Sequence, residues 1–133
     1  MSEVPGPLVG RRILLVEDEY LIAELMEEWL RWAGIEVIGP VPSVEKALEL
    51  IDGEAEALDG AVLDVNLGRG ETAYPITDRL AELGVPYLFV TGDVRIIDHP
   101  AHQRRPRLNK PISPAELYRA VESLLASRSP PAR

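Results

Sequence analysis

Three short apolar runs in this chain each stop on a residue that carries chemistry. Ile13-Leu14-Leu15-Val16 runs into Glu17-Asp18, Ala61-Val62-Leu63 into Asp64, and Tyr87-Leu88-Phe89-Val90 into Thr91-Gly92. An unbroken apolar run of this length suits a strand buried on both faces, the kind found in a parallel sheet covered by helices. Between the runs the apolar spacing becomes helical. Leu21, Ile22, Leu25, Met26, Trp29 and Ala33 share one side of a helix expected over about 18–33, with Gly34 placed to cap its end. Val44, Ala47, Leu48 and Ile51 mark a second helix with Ser43 as N-cap. Ala73, Ile76, Leu80 and Leu83 mark a third, with Pro75 tolerable in its first turn and Gly84 beyond its end. Leu117, Ala120, Val121, Leu124 and Leu125 mark the last, opened by Ser113-Pro114.

Two weaker strands complete the pattern, one over 35–38 closed by Gly39-Pro40 and one at Arg107-Leu108-Asn109. From Asp93 to Arg107, Pro100 and Pro106 limit any helix to a short or irregular fourth one. Strand and helix alternate five times, so the expected fold is α/β: a five-stranded parallel sheet, doubly wound, with right-handed crossovers. The chain has 133 residues, 46% of them apolar, enough for one core and one domain. The expected division is a flexible N-terminus over 1–10, one folded domain over 11–127 and a disordered tail over 128–133.

A formal charge of −8 argues against a general affinity for nucleic acid. Without cysteine, neither disulfides nor a thiolate zinc site hold the fold, which suits a reducing cytoplasm. No run of about 20 apolar residues offers a membrane span. One basic stretch stands out: Arg95, Arg104, Arg105, Arg107 and Lys110 face only Asp98 over 95–110, a net charge of +4. Arg104, Arg105 and Arg107 are either a docking surface for an acidic partner or a solvated loop.

In doubly wound sheets ligands bind beyond the carboxyl ends of the strands. Glu17 and Asp18 follow the first strand, Asp64 the third, Thr91 the fourth and Lys110 the fifth, so all five converge on one edge. Three carboxylates in one place repel one another, and a bound hard cation such as Mg²⁺ compensates them with oxygen ligands. Such an ion neutralises charge on a phosphoryl group transferred to Asp64, while Lys110 adds a second positive charge and the Thr91 hydroxyl a donor.

These residues resemble the receiver domain of bacterial two-component response regulators. The pieces that carry the resemblance are Ile-Leu-Leu-Val-Glu-Asp-Glu at 13–19, Ala-Val-Leu-Asp-Val-Asn-Leu at 61–67, Phe-Val-Thr-Gly at 89–92 and Asn-Lys-Pro-Ile at 109–112, and it covers roughly 10–127. The resemblance implies a flavodoxin-like receiver fold and a phosphoacceptor at Asp64. It implies a metal site of Glu17, Asp18, Asp64 and the Asn66 backbone carbonyl, a switch hydroxyl at Thr91, a phosphoryl-binding Lys110 and a cis Lys110-Pro111 bond. Asn66 and Asp93 take the positions that modulate hydrolysis in such domains, and both are polar enough to admit water, so a phosphorylated state that is not exceptionally long-lived is expected.

The implied partner is a sensor histidine kinase or a histidine phosphotransfer protein. The resemblance implies that the chain catalyses only its own phosphorylation and autodephosphorylation. Phe-Val-Thr-Gly resembles the Phe-Ala-Thr-Gly subgroup, often served by HWE or related kinases. Arg107 stands where most receivers carry a switching aromatic, so an order-disorder change over 93–107 is the expected alternative. With the receiver filling the chain, the expectation is a cytoplasmic single-domain regulator, monomer or weak dimer, that binds an unknown downstream protein or acts as a phosphate sink.

Two other readings remain open. A pseudo-receiver would bind its partner without phosphorylation. A phosphatase of the haloacid dehalogenase kind also uses a strand-end Asp, but needs a second Asp two residues on, where Asn66 stands. Trp29 and Trp32, three apart, read as packing residues rather than a kinase contact. His99 and His102 have metal-like spacing but lack acidic company. Gly68 and Gly70 read as flexibility in a loop that admits a partner.

Overall fold

A computed structural model of the chain describes residues 6–54, 57–68, 70–92 and 107–127. The elements, in order, are β1 (Arg12–Val16), α1 (Tyr20–Trp32), β2 (Glu36–Val41), α2 (Val44–Glu54), β3 (Gly60–Leu63), α3 (Tyr74–Glu82), β4 (Tyr87–Thr91), β5 (Arg107–Asn109) and α4 (Pro114–Ser127). The strands form one all-parallel sheet in the order β2-β1-β3-β4-β5. The short or irregular helix expected between β4 and β5 falls on 93–106, outside the described residues, as do the segments 1–5 and 128–133.

Each inner strand divides its side chains between two cores, as period-two alternation requires. On one face Leu14, Val16, Leu63 and Phe89 pack with Ile51 of α2 and Ile76 and Leu80 of α3. On the other, Ile13, Leu15, Val62, Leu88 and Val90 meet Met26 and Leu30 of α1 and Leu117, Val121 and Leu124 of α4. The two helices on that second face are tied by the Tyr118 hydroxyl, which donates to the Trp29 carbonyl at 2.8 Å.

Helix boundaries follow local chemistry. The Ser43 hydroxyl accepts from the Lys46 N–H at 3.3 Å, the capping read from sequence. Ser113 and Glu116 form a reciprocal box at the start of α4: Glu116 N–H donates to Ser113 Oγ at 3.2 Å, and Ser113 N–H to Glu116 Oε1 at 2.8 Å. Gly34 and Gly84 end α1 and α3 with φ of 89° and 72°.

Three expectations need correction. Gly39-Pro40 does not close β2; the strand runs on to Val41, with a register irregularity between the Leu14–Ile38 and Val16–Val41 pairs. β2 lies at the sheet edge, where a proline without an N–H is tolerated. The stretch 6–10 is not a loose lead: Leu8 is buried in the second core, and the Gly10 N–H donates to the Gly34 carbonyl at 2.8 Å. The tryptophans do not share a role, since Trp29 packs against the second core while Trp32 is 81% exposed. No helix among the described residues is long and apolar enough to cross a membrane.

Candidate functional site

The carboxyl ends of β1, β3, β4 and β5 meet at one edge, and the ladder itself sets the spacing. The Asp64 N–H donates to the Val16 carbonyl at 2.9 Å, placing Asp64 beside Glu17, and the Lys110 N–H donates to the Thr91 carbonyl at 2.8 Å. Glu17, Asp64 and Thr91 are buried at 2%, 6% and 1% exposure, polar groups held where the apolar strands end.

One carboxylate oxygen from each of Glu17, Asp18 and Asp64 lies within 4.8 Å of the others. Glu17 Oε1 is buried, and its 3.0 Å contact with Lys110 Nζ is an ion pair rather than an aligned hydrogen bond. An under-satisfied buried oxygen beside two further carboxylates is a donor set that fits a hard divalent cation. These three side chains would hold it. The Asn66 N–H donates to Asp64 Oδ1 at 3.3 Å, and Asn66 bridges to Thr72, so the chain after β3 folds back on itself beside Asp64.

Lys110 reaches three carboxylates: Glu17 Oε1 and Glu19 Oε1 at 3.0 Å and Asp64 Oδ2 at 3.3 Å. Its bond to Pro111 is cis. Burial opposes the charge of the ammonium, but Glu17, Glu19 and Asp64 outweigh it and hold the group above its ordinary range. Burial, helped by the neighbouring Asp64, pushes Glu17 up to about 7. Asp64 is also raised, by burial, against the opposing pull of Lys110. Two buried acids that resist ionisation together gain most from a cation between them.

Glu17, Asp18, Asp64, Thr91 and Lys110 therefore stand together, with Asn66 beside Asp64. Asp93, Arg104 and Arg105 lie outside the described residues, as do His99 and His102; Arg107 is exposed on the edge strand β5. Glu19 has no role assigned from sequence, and Gly68 only that of a pliable loop. Glu19 was part of the acidic run after β1, yet its contact lies 91 residues away on Lys110. Gly68 has φ 81°, a left-handed backbone that favours glycine, and it sits close to the Asp18 carboxylate, where a Cβ would lie 3.2 Å from Oδ2.

No protein-family model and no curated protein matches the sequence. Solved structures do. The solution structure of SdrG from Sphingomonas melonis Fr1 is 35% identical, with a TM-score of 0.74, covering 87% of this chain and 97% of that one. The BeF3-activated conformation of SdrG from Pseudomonas melonis Fr1 is 36% identical, with a TM-score of 0.71 over 86% and 95% of the two chains. The crystal structure of a response regulator receiver protein from Sinorhizobium medicae WSM419 is 27% identical, with a TM-score of 0.78 over 90% and 98%. Sheet order, the acidic cluster with its lysine at the strand ends, and this likeness over nearly the whole of the compared chains lead to one assignment: the chain belongs to the response regulator receiver family.

Proposed function

We propose that the protein is a phosphorylation-dependent signalling module that takes a phosphoryl group onto Asp64 from the phosphohistidine of a sensor kinase or phosphotransfer protein. The observation that carries the reading is the contact between Lys110 Nζ and Asp64 Oδ2 at 3.3 Å, beside carboxylate oxygens clustered within 4.8 Å. An Asp carboxylate oxygen attacks the phosphorus, the phosphorus–nitrogen bond breaks, and its electron pair returns to the imidazole. Lys110 meets the phosphoryl charge, and the Thr91 hydroxyl, at the end of β4, donates to a phosphoryl oxygen. Glu17, Asp18, Asp64 and the Asn66 carbonyl would hold a magnesium ion, which when bound would supply positive charge against the phosphoryl oxygens. Hydrolysis reverses the modification: water attacks phosphorus, the acyl phosphate bond breaks and the Asp64 carboxylate is restored. Asn66 and Asp93 take the sequence positions that modulate this hydrolysis in receiver domains.

The partner is a protein. An apolar cavity of about 310 Å³ opens between α1 and the turn after β5, lined by Ile22, Leu25, Trp29, Pro111 and Ile112 together with Lys110, the residue that contacts Asp64. With exposed Leu21 and Tyr20 at its border helix, it supports docking of a kinase or phosphotransfer helix close to Asp64. Signalling then proceeds by binding a downstream protein or by withdrawing phosphate from another regulator. Asn66, in place of a second Asp, speaks against a haloacid dehalogenase phosphatase.

The test is incubation with radiolabelled, autophosphorylated histidine kinases of the same genome, with and without Mg²⁺, comparing wild type with Asp64→Asn. Rapid magnesium-dependent transfer that disappears in the variant is the expected result. A folded wild type that accepts label from none of them turns the reading to a phosphorylation-independent binding module.

A further inference from the structure

Glu19 occupies an odd position for its chemistry. It is the N-cap residue of α1, with extended backbone (φ −83°, ψ 110°), yet its side chain makes no capping bond, and the first turn of that helix carries no acid. A carboxylate there would ordinarily be stabilised by the unpaired N–H groups and the positive end of the helix. Instead the Glu19 N–H is held by Glu17 Oε2 at 3.1 Å, and its carboxylate turns to Lys110 Nζ at 3.0 Å. Lys110 thus has three carboxylates around it, and an ammonium has three donors.

A phosphoryl oxygen approaching Lys110 therefore competes with these carboxylates for the ammonium. Glu17 and Asp64 belong to the cluster that a cation would neutralise. Glu19 is outside that cluster and 62% exposed at its side chain, so a cation held by the other carboxylates would leave it as a competitor for Lys110. We infer that Glu19 is a positioning residue that holds Lys110 in the resting protein and competes with the phosphoryl group for it, raising the threshold for loading the acceptor site. The inference rests on the acceptor reading of Asp64. Release of Glu19 would also return a carboxylate to the start of α1, so occupancy of the acceptor site reaches the helix that borders the apolar cavity.

The experiment compares wild type, Glu19→Gln and Glu19→Ala, each checked for an unchanged thermal midpoint. The first readout is the ¹⁵N signal of the Lys110 ammonium in the resting protein, without magnesium or a phosphoryl mimic. The second is the affinity for beryllofluoride in magnesium buffer, followed by amide chemical shifts. The expected result is a shifted Lys110 signal in both variants and beryllofluoride binding tighter by about two- to fivefold, the range for one partly exposed ion pair. The gap should narrow as salt is raised. An unshifted Lys110 signal, or binding in the variants equal to or weaker than wild type, overturns the role given to Glu19 while leaving the acceptor reading intact. A wild type that takes up no beryllofluoride overturns the acceptor reading itself, and this inference with it.

Discussion

Lys110 Nζ lies 3.3 Å from Asp64 Oδ2, across 46 residues of sequence, because only β4 separates the parallel strands that deliver them and both residues follow a strand's carboxyl end at the same edge. The lysine is the only cation that an ion pair places against Glu17 and Asp64 among the described residues. Lys110→Met should therefore lower the stability of the metal-free protein at pH 8 by about 3 kcal/mol, the usual cost of stranding a buried charge. The loss should shrink at pH 5.5, where the carboxylates escape by protonation. Urea titrations in EDTA at the two pH values measure it.

Glu17 sets a pH dependence of its own. Its folded-state pKa, about 7, lies above the ordinary 4.5, so the folded protein binds more protons than the unfolded chain between those values. Its contribution is fully present below about 4.5 and is lost as pH rises through about 7. Stability of the metal-free protein should fall over that window by on the order of 1 to 3 kcal/mol. Glu17→Gln should flatten the curve. Magnesium should restore stability most strongly above pH 7, where Glu17 has lost its proton. Denaturation midpoints across pH, with EDTA or Mg²⁺, decide it.

Gly39 carries a backbone requirement at the point where β2 bends. Its φ is 104°, and a Cβ would stand 2.9 Å from the Leu15 carbonyl oxygen, a backbone atom that cannot swing aside. Gly39→Ala should cost about 1 to 3 kcal/mol, by strain rather than lost contacts. Gly53→Ala, in α2 with nothing within 4 Å of the added carbon, should instead be neutral or mildly stabilising. Paired chemical denaturation curves separate the two.

The Tyr118 hydroxyl joins α4 to α1 through the Trp29 carbonyl. Tyr118→Phe keeps the ring in the second core and removes only that bond, so a loss of about 1 kcal/mol is expected. Amide exchange should quicken at the C-terminal end of α1, where the Ala33 N–H shares the same carbonyl. Exchange rates unchanged there would mean the bond does not hold the helix end.

The sequence by itself determined the alternation of buried strands and amphipathic helices, the caps at Ser43 and Ser113, and the convergence of Glu17, Asp18, Asp64, Thr91 and Lys110. Each depends on a local period or on a strand end, and a parallel sheet turns every strand's carboxyl end to the same edge. Only the tertiary structure decided that Glu19 faces Lys110 instead of capping its own helix, that Gly68 takes a left-handed backbone beside Asp18, that β2 passes through Gly39-Pro40, and that Trp29 and Trp32 part ways. These are contacts between segments distant in the chain or fine rotations about a helix axis, which local propensity does not encode. The same distance governs the electrostatics: the acidity of Glu17 follows from how deeply the sheet buries it and how near it brings Asp64, two quantities that exist only once the strands have paired.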